Sequence, residues 1–221
     1  MVPTIAGVDG AGDRWVIAVL RCDAVSWAVA QHAAAVLQEV AGCAAVGVDV
    51  PIGLPEQGLR RCDLEARRRL GRAAASIFPA PIRAVLDAAS HREACAALRQ
   101  RGEAGMTIYT WGIVPKIRQW DELPLPSHIV EVHPELSFRA MAPGIVFTRK
   151  KSAPGAWQRI TALSSMVDID AALAAAPEQV ALDDALDALA AAWSARRWAA
   201  GRAETLGGEL DCHDRLMRIV V

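Results

Sequence analysis

At 221 residues, 53% of them hydrophobic, the chain can bury one substantial core, and we expect a single domain with an insertion. A formal net charge of -1 gives no field for steering a polyanion, so such a partner would have to be met by local basic patches. Five cysteines without any CxxC spacing argue against a disulfide framework and a structural zinc site, and point to a reducing compartment. The first residues lead into a strand with no basic and apolar leader pattern, and no apolar run approaches the roughly 20 residues of a membrane span. The expectation is a soluble cytoplasmic protein with no membrane partner.

Residues 5–9 (IAGVD) read as a buried strand, 10–13 as a turn and 15–20 (WVIAVL) as a second strand at hairpin distance. A weaker third strand follows at 25–30, then a helix over 32–42. Residues 46–50 (VGVDV) form another apolar β-branched run, which the crossover helix brings in parallel to the first. Asp9 and Asp49 thus each close an apolar strand. An unpaired buried charge costs several kcal/mol, so an acid in such a run calls for a metal, a cation or a substrate beside it, or for a turn to cap. Pro51, Gly53 and Pro55 turn the chain and leave Asp49 at the carboxyl edge of the sheet, where open α/β sheets place their sites. The glycines after Asp9 leave room for a close approach, but GAGD is not a P-loop.

From 57 to 72 the spacing predicts a basic amphipathic helix carrying Arg60, Arg61, Arg67, Arg68, Arg69 and Arg72, with Asp63 and Glu65 among them. It is either a solvated face or a phosphate-facing one. Ser90 with Glu93 forms a capping box opening a helix toward Arg101, and 107–123 gives another helix carrying Lys116 and Arg118. Residues 129–133 (IVEVH) are a strand with an acid inside it, Glu131, and with His133 on the same face, there as a structural residue or a ligand. A helix from Pro134 to Met141 follows, then the basic cluster Arg149, Lys150 and Lys151, and a helix over about 154–166. The last helix begins at LDDALDALAAAW, with Asp183 as its N-cap and Asp184 and Asp187 three apart on one face. Small residues after Asp187 let this helix lie close to a sheet. The tail ends in an edge strand or an extended arm.

Three strand-borne acids, Asp9, Asp49 and Glu131, followed by the helix-borne pair Asp184 and Asp187, can converge on one point. Magnesium and manganese want hard oxygen ligands, and a two-ion site with its metals about 3.5 to 4 Å apart needs several carboxylates together. Without a cation these charges would repel one another and some would hold protons. Either ions or a basic side chain must offset that repulsion.

The runs IAGVDGAGDRWVIAVL, GVDVPIGLP, CDLEARRRLGRAAASIFPAP, WGIVPKIRQWDE, IVEVHPELSF and DDALDALAAAW cover the chain nearly end to end. On them the sequence resembles a domain-of-unknown-function family of predicted RNase H-like nucleases, relatives by fold of the RuvC-type resolvases. The resemblance implies an α/β protein with an RNase H-like mixed sheet flanked by helices, and one domain over 1–221 with a helical insertion at about 57–123. It further implies a metal-dependent nuclease using Mg2+ or Mn2+ in a two-ion mechanism on DNA or RNA. Asp9 matches the resolvases' first-strand acid, Asp184 and Asp187 their helix-borne pair, while Asp49 and Glu131 fit the middle acids by position. Arg67, Arg68, Lys116, Lys150 and Lys151 would position phosphates. Two other readings compete: an ATP-binding phosphotransferase of the sugar-kinase and actin superfamily, for which the chain has room for only one of the two required domains, and a non-catalytic module holding one cation.

Overall fold

The structure, a computed structural model, describes residues 2–221. In chain order its elements are β1 (Ile5–Ala11), β2 (Arg14–Arg21), β3 (Ala24–Ala30), α1 (Ala33–Glu39), β4 (Ala45–Val48), α2 (Arg61–Leu70), α3 (His91–Gln100), α4 (Ile108–Asp121), β5 (Ile129–Glu131), α5 (Pro134–Met141), α6 (Ala153–Leu163), α7 (Ile169–Ala174), α8 (Leu182–Ala199), β6 (Thr205–Leu210) and β7 (Leu216–Val220). They form two compact units. The first comprises the chain up to Val50, Leu125–Glu204 and Val220–Val221; the second comprises Pro51–Pro124 and Thr205–Ile219.

The first unit is a mixed α/β layer structure around a five-stranded sheet of order β3-β2-β1-β4-β5. β2 runs antiparallel to both β1 and β3, while β4 pairs in parallel with β1 and with β5. The hairpin between β1 and β2 turns through Gly12, whose φ of +56° glycine adopts without steric cost. α1 is capped by His32, whose Nδ1 accepts from the Ala35 N–H, and it carries the chain across to β4. The strands, crossover and parallel entry of β4 agree with the reading from hydrophobic pattern.

α8 lies directly on this sheet. A Cβ on Gly7 would stand 2.0 Å from the Ala188 carbonyl oxygen and 2.2 Å from the Ala192 nitrogen, and one on Gly47 would stand 2.4 Å from the Ala191 oxygen. Two glycines on neighbouring strands thus face the run Ala188 to Ala192, and helix backbone touches sheet backbone with no side chain between. Around this contact Phe138, Leu163, Met166, Val167 and Ile169 close the core against Ile5, Val16 and Leu20. α7 adds a tie at the sheet's first edge: Trp27 Nε1 donates to the Ala172 oxygen at 2.8 Å. From the sequence Asp183 is expected as the N-cap of α8, but the structure places it one residue inside the helix. The helix begins at Leu182 after Ala181, so Asp183 and Asp184 sit in its first turn, where they complement the macrodipole instead of capping it.

In the second unit the expected insertion is helical, but α2 covers only Arg61–Leu70 before a 3-10 segment takes over at 71–76. Arg60, just ahead of it, is fully buried: its guanidinium donates to both Asp63 oxygens, at 3.0 and 2.7 Å, and to the Ile52 and Gly53 carbonyls. Asp63 also accepts the Ala80 N–H. Arg83 joins Asp121 at 2.7 Å and Asp211 at 2.5 Å. Asp211 in turn accepts N–H groups of Leu54, His213 and Arg215, which hold its carboxyl below the usual range even though burial acts against them. The tail forms the hairpin of β6 and β7, not a single strand. Among the described residues no helix is long and apolar enough to cross a membrane.

Candidate functional site

Side chains two apart on a strand share a face, so Asp9 points with Gly7 toward α8. The parallel register pairs Gly7 with Gly47 and Val8 with Val48, and the Asp49 N–H continues it by donating to the Val8 oxygen at 2.9 Å. Asp49 therefore stands beside Asp9 on the same face, and the two carboxyls hydrogen-bond each other. Asp187, one residue ahead of the Ala188 that rests on Gly7, comes to the same place from α8, and Asp184 lies close enough to act on Asp9. Asp9 and Asp187 are 6% and 5% exposed, whereas Asp49, Asp184 and Lys150 are only half-buried, so the cluster is deep at Asp9 and Asp187 and open to water at the others.

Glu131 does not join them. β5 pairs Val48 with Glu131 and Gly47 with Val130, so Glu131 takes the face of Val48, opposite Asp49 and α8. Val130 and Val132 instead pack on Ala191. The acid that does reach the cluster from this part of the chain is Glu135, in the first turn of α5, which raises the carboxyl values of both Asp49 and Asp187.

The missing charge balance comes from Lys150. Its Nζ donates to Asp187 Oδ2 at 2.6 Å and lies 3.8 Å from Asp183, while Lys151 stands 3.6 Å from Asp183. Burial works against the Lys150 ammonium, yet Asp187, Asp9 and Asp183 hold it protonated above its ordinary value. Even so, burial and mutual repulsion favour the protonated form of the acids. Asp9 is raised well above the carboxylate range by burial, then by Asp187 and Asp49, with Lys150 opposing. Asp49 is raised by burial, with His133, the hydrogen bond to Asp9 and Lys150 pulling it back. Burial pushes Asp187 up to about 7 despite Lys150. Asp9 and Asp49 thus stand carboxyl beside carboxyl, next to the Lys150–Asp187 ion pair. His133 Nδ1, close by, is buried without a hydrogen-bond partner.

The other basic residues read as phosphate contacts, Arg67, Arg68 and Lys116, belong to the second unit. Arg67 donates to the Ile77 carbonyl at 3.0 Å, Arg68 is exposed and Lys116 is half-buried on α4. Among the described residues, no three His, Cys, Asp or Glu side chains stand at the spacing of a ready-made metal-ligand set. Asp9 and Asp49 are two adjacent hard-oxygen donors, a set that would suit one Mg2+ keeping several waters better than two ions.

A family model described as "Protein of unknown function (DUF429)" matches residues 7–211. The chain belongs to that family. No curated protein and no solved structure matches it. The DUF429 match spans every residue of the cluster, from Asp9 to Asp187. Within it the sequence reading missed Glu135 as a member and the pairing of Lys150 with Asp187. The tripeptide Gly-Val-Asp, at 7–9 and again at 47–49, marks Asp9 and Asp49 with a glycine for the helix and an acid for the site, but carries no signal for Glu135 or Lys150.

Raised acids make a testable sign. Each proton bound by the folded state and not by the unfolded one lowers stability by about 1.4 kcal/mol per pH unit as pH rises between the two pKa values. For Asp9, Asp49 and Asp187 that window runs upward from the ordinary carboxylate range, to about 7 in the case of Asp187. In metal-free buffer the protein is expected to melt higher at about pH 5.5 than at about pH 7.5, and Asp9→Asn to melt higher than wild type at the upper pH with a flatter profile. A wild-type Tm that climbs steadily over this range, unaltered by Asp9→Asn, would contradict the cluster's electrostatics.

Proposed function

We propose that this chain is a metal-dependent nuclease of RNase H-like fold that hydrolyses phosphodiester bonds of nucleic acid with Mg2+ or Mn2+. The observation that carries the reading is the meeting of Asp9 and Asp49, from adjacent parallel strands, with Asp187 from the helix laid across them. The strand order β3-β2-β1-β4-β5, antiparallel on one side of β1 and parallel on the other, supports the RNase H-like assignment by resemblance. A divalent cation at such a site supplies Lewis-acid stabilisation of phosphoryl oxygens and a more acidic water.

The chain's own residues prepare for it. Asp9 and Asp49 offer adjacent hard oxygens on neighbouring strands, and a cation there would offset the burial and repulsion that raise their carboxyl values. Lys150 keeps a positive charge at the edge of the cluster, available to a phosphate oxygen. Arg68, exposed in the second unit, is suited to a phosphate backbone, whereas Arg60 is wholly engaged with Asp63.

The test is a Mn2+-dependent cleavage screen over single-stranded, duplex, hybrid and branched substrates, with Asp49→Asn as control. Cleavage is expected for wild type and a loss of at least about a hundredfold for the variant, the range typical for removing an electrostatic catalytic group. Equal cleavage by both proteins sinks the assignment. Metal binding with no cleavage of any substrate leaves the non-catalytic cation module.

A further inference from the structure

We propose that Lys150 is a built-in cation of this centre, supplying the second positive charge, so that each chain binds one divalent ion and not two. The inference rests on the metal-centre reading above and concerns its composition. It starts from the segment that carries the lysine, which is tied down on both sides of Lys150.

On the N-terminal side, Thr148 donates through its N–H and its hydroxyl to Gln158 Oε1, at 2.8 and 3.2 Å, while Gln158 Nε2 donates to the Val146 oxygen. Arg159 donates to the Thr148 oxygen at 3.0 Å. On the C-terminal side, Ser152 donates to the Arg149 oxygen through both its N–H and its hydroxyl, and the hydroxyl in turn caps α6 by accepting the Gly155 N–H. Gly155 is required there, because a Cβ on it would stand 2.0 Å from the Arg149 oxygen. Arg159 is itself 2% exposed, lies against Phe138 and Phe147 at 5.3 Å each, and pairs with Glu135.

A flexible surface lysine would sample many rotamers and lose entropy on every engagement. Lys150 starts instead from a backbone fixed by α6 and reaches 2.6 Å from Asp187. A charge held in place before substrate arrives needs no reorganisation during reaction. The same ammonium answers Asp187, an acid that a second metal ion would need. With Asp187 engaged by Lys150, Glu135 by Arg159 and Glu131 on the opposite face of the sheet, Asp9 and Asp49, side by side on adjacent strands, are the pair for one ion. This agrees with the absence, among the described residues, of a three-ligand group.

The experiment counts bound Mn2+ on the full chain, by calorimetry and by the electron paramagnetic resonance signal of the free ion. Wild type is expected to bind one ion per chain. Lys150→Met frees Asp187 and is expected to bind two, while Lys150→Arg keeps a cation and stays at one, with circular dichroism checking that each variant is folded. Should Lys150→Met not fold, the wild-type and Lys150→Arg counts decide. Two ions in wild type, or one in a folded Lys150→Met, overturns the role given to Lys150 and leaves the metal centre standing. No ion in wild type removes the metal centre itself, and this inference with it.

Discussion

Gly7→Ala is expected to destabilise the protein by about 3 kcal/mol or more, a large part of the stability of an ordinary domain. The reason is the contact between α8 and the sheet. The added methyl would stand 2.0 Å from the Ala188 oxygen, 2.2 Å from the Ala192 nitrogen and 2.8 Å from the Ala192 Cα, and all three are backbone atoms of one rigid helix. No side chain can rotate away, so the whole helix must lift, and with it Asp187. Gly47→Ala is expected to act similarly, through the Ala191 oxygen at 2.4 Å. Gly42→Ala is the control, because nothing lies within 4 Å of its added carbon and its φ is not in the left-handed region. Denaturant midpoints measure the three. A Gly7→Ala protein as stable as Gly42→Ala would show that α8 does not rest on β1 as described.

Asp63→Asn is expected to cost about 3–5 kcal/mol, the range for stranding one partner of a buried ion pair. Arg60 and Asp63 have side-chain exposures of 1% and 2%, so neither reaches bulk solvent. Removing the negative charge leaves a guanidinium buried among the Ile52 and Gly53 carbonyls and weakens the acceptor of the Ala80 N–H. The double variant Arg60→Met/Asp63→Leu is expected to recover part of the loss, since two apolar groups need no partner, although the carbonyls and the Ala80 N–H still lose theirs. Thermal unfolding of the three proteins reads this out. A single variant within about 0.5 kcal/mol of wild type, the size of a surface change, would mean that the pair is solvated.

Much of the first unit was readable from periodicity. β1, β2 and β4 are apolar runs broken by turn residues, and the pairing of β1 with β4 followed from the crossover rule, so Asp9 and Asp49 were expected on adjacent strands and lie there. Glu131 was misplaced because a three-residue strand shows an acid but not its register, and one residue of register decides the face. Lys150 could not be connected with Asp187 across 37 positions of sequence. The arginine run at 60–72 looked uniformly solvated or phosphate-facing. In the structure Arg60 is internal and Arg61 pairs with Glu65, because acids three and four residues on fall on the same side of the helix. β6 was hidden by Gly207 and Gly208, glycines that weaken a strand pattern; a Cβ on Gly207 would come 2.7 Å from the Cβ of Cys62 in α2. α7, six residues long, gives too short a period to detect.

The tie between Trp27 and Ala172 has a meaning beyond packing. β3 ends the sheet, and its seven residues, AVSWAVA, contain neither a charge nor a proline. Those are the devices by which edge strands usually resist pairing with another chain. β3 therefore relies on tertiary cover, and the indole that donates to α7 holds that cover in place. Loosening α7 is expected to free Trp27 and to favour self-association through this uncharged strand, which light scattering of a Trp27→Phe variant below its melting temperature would show.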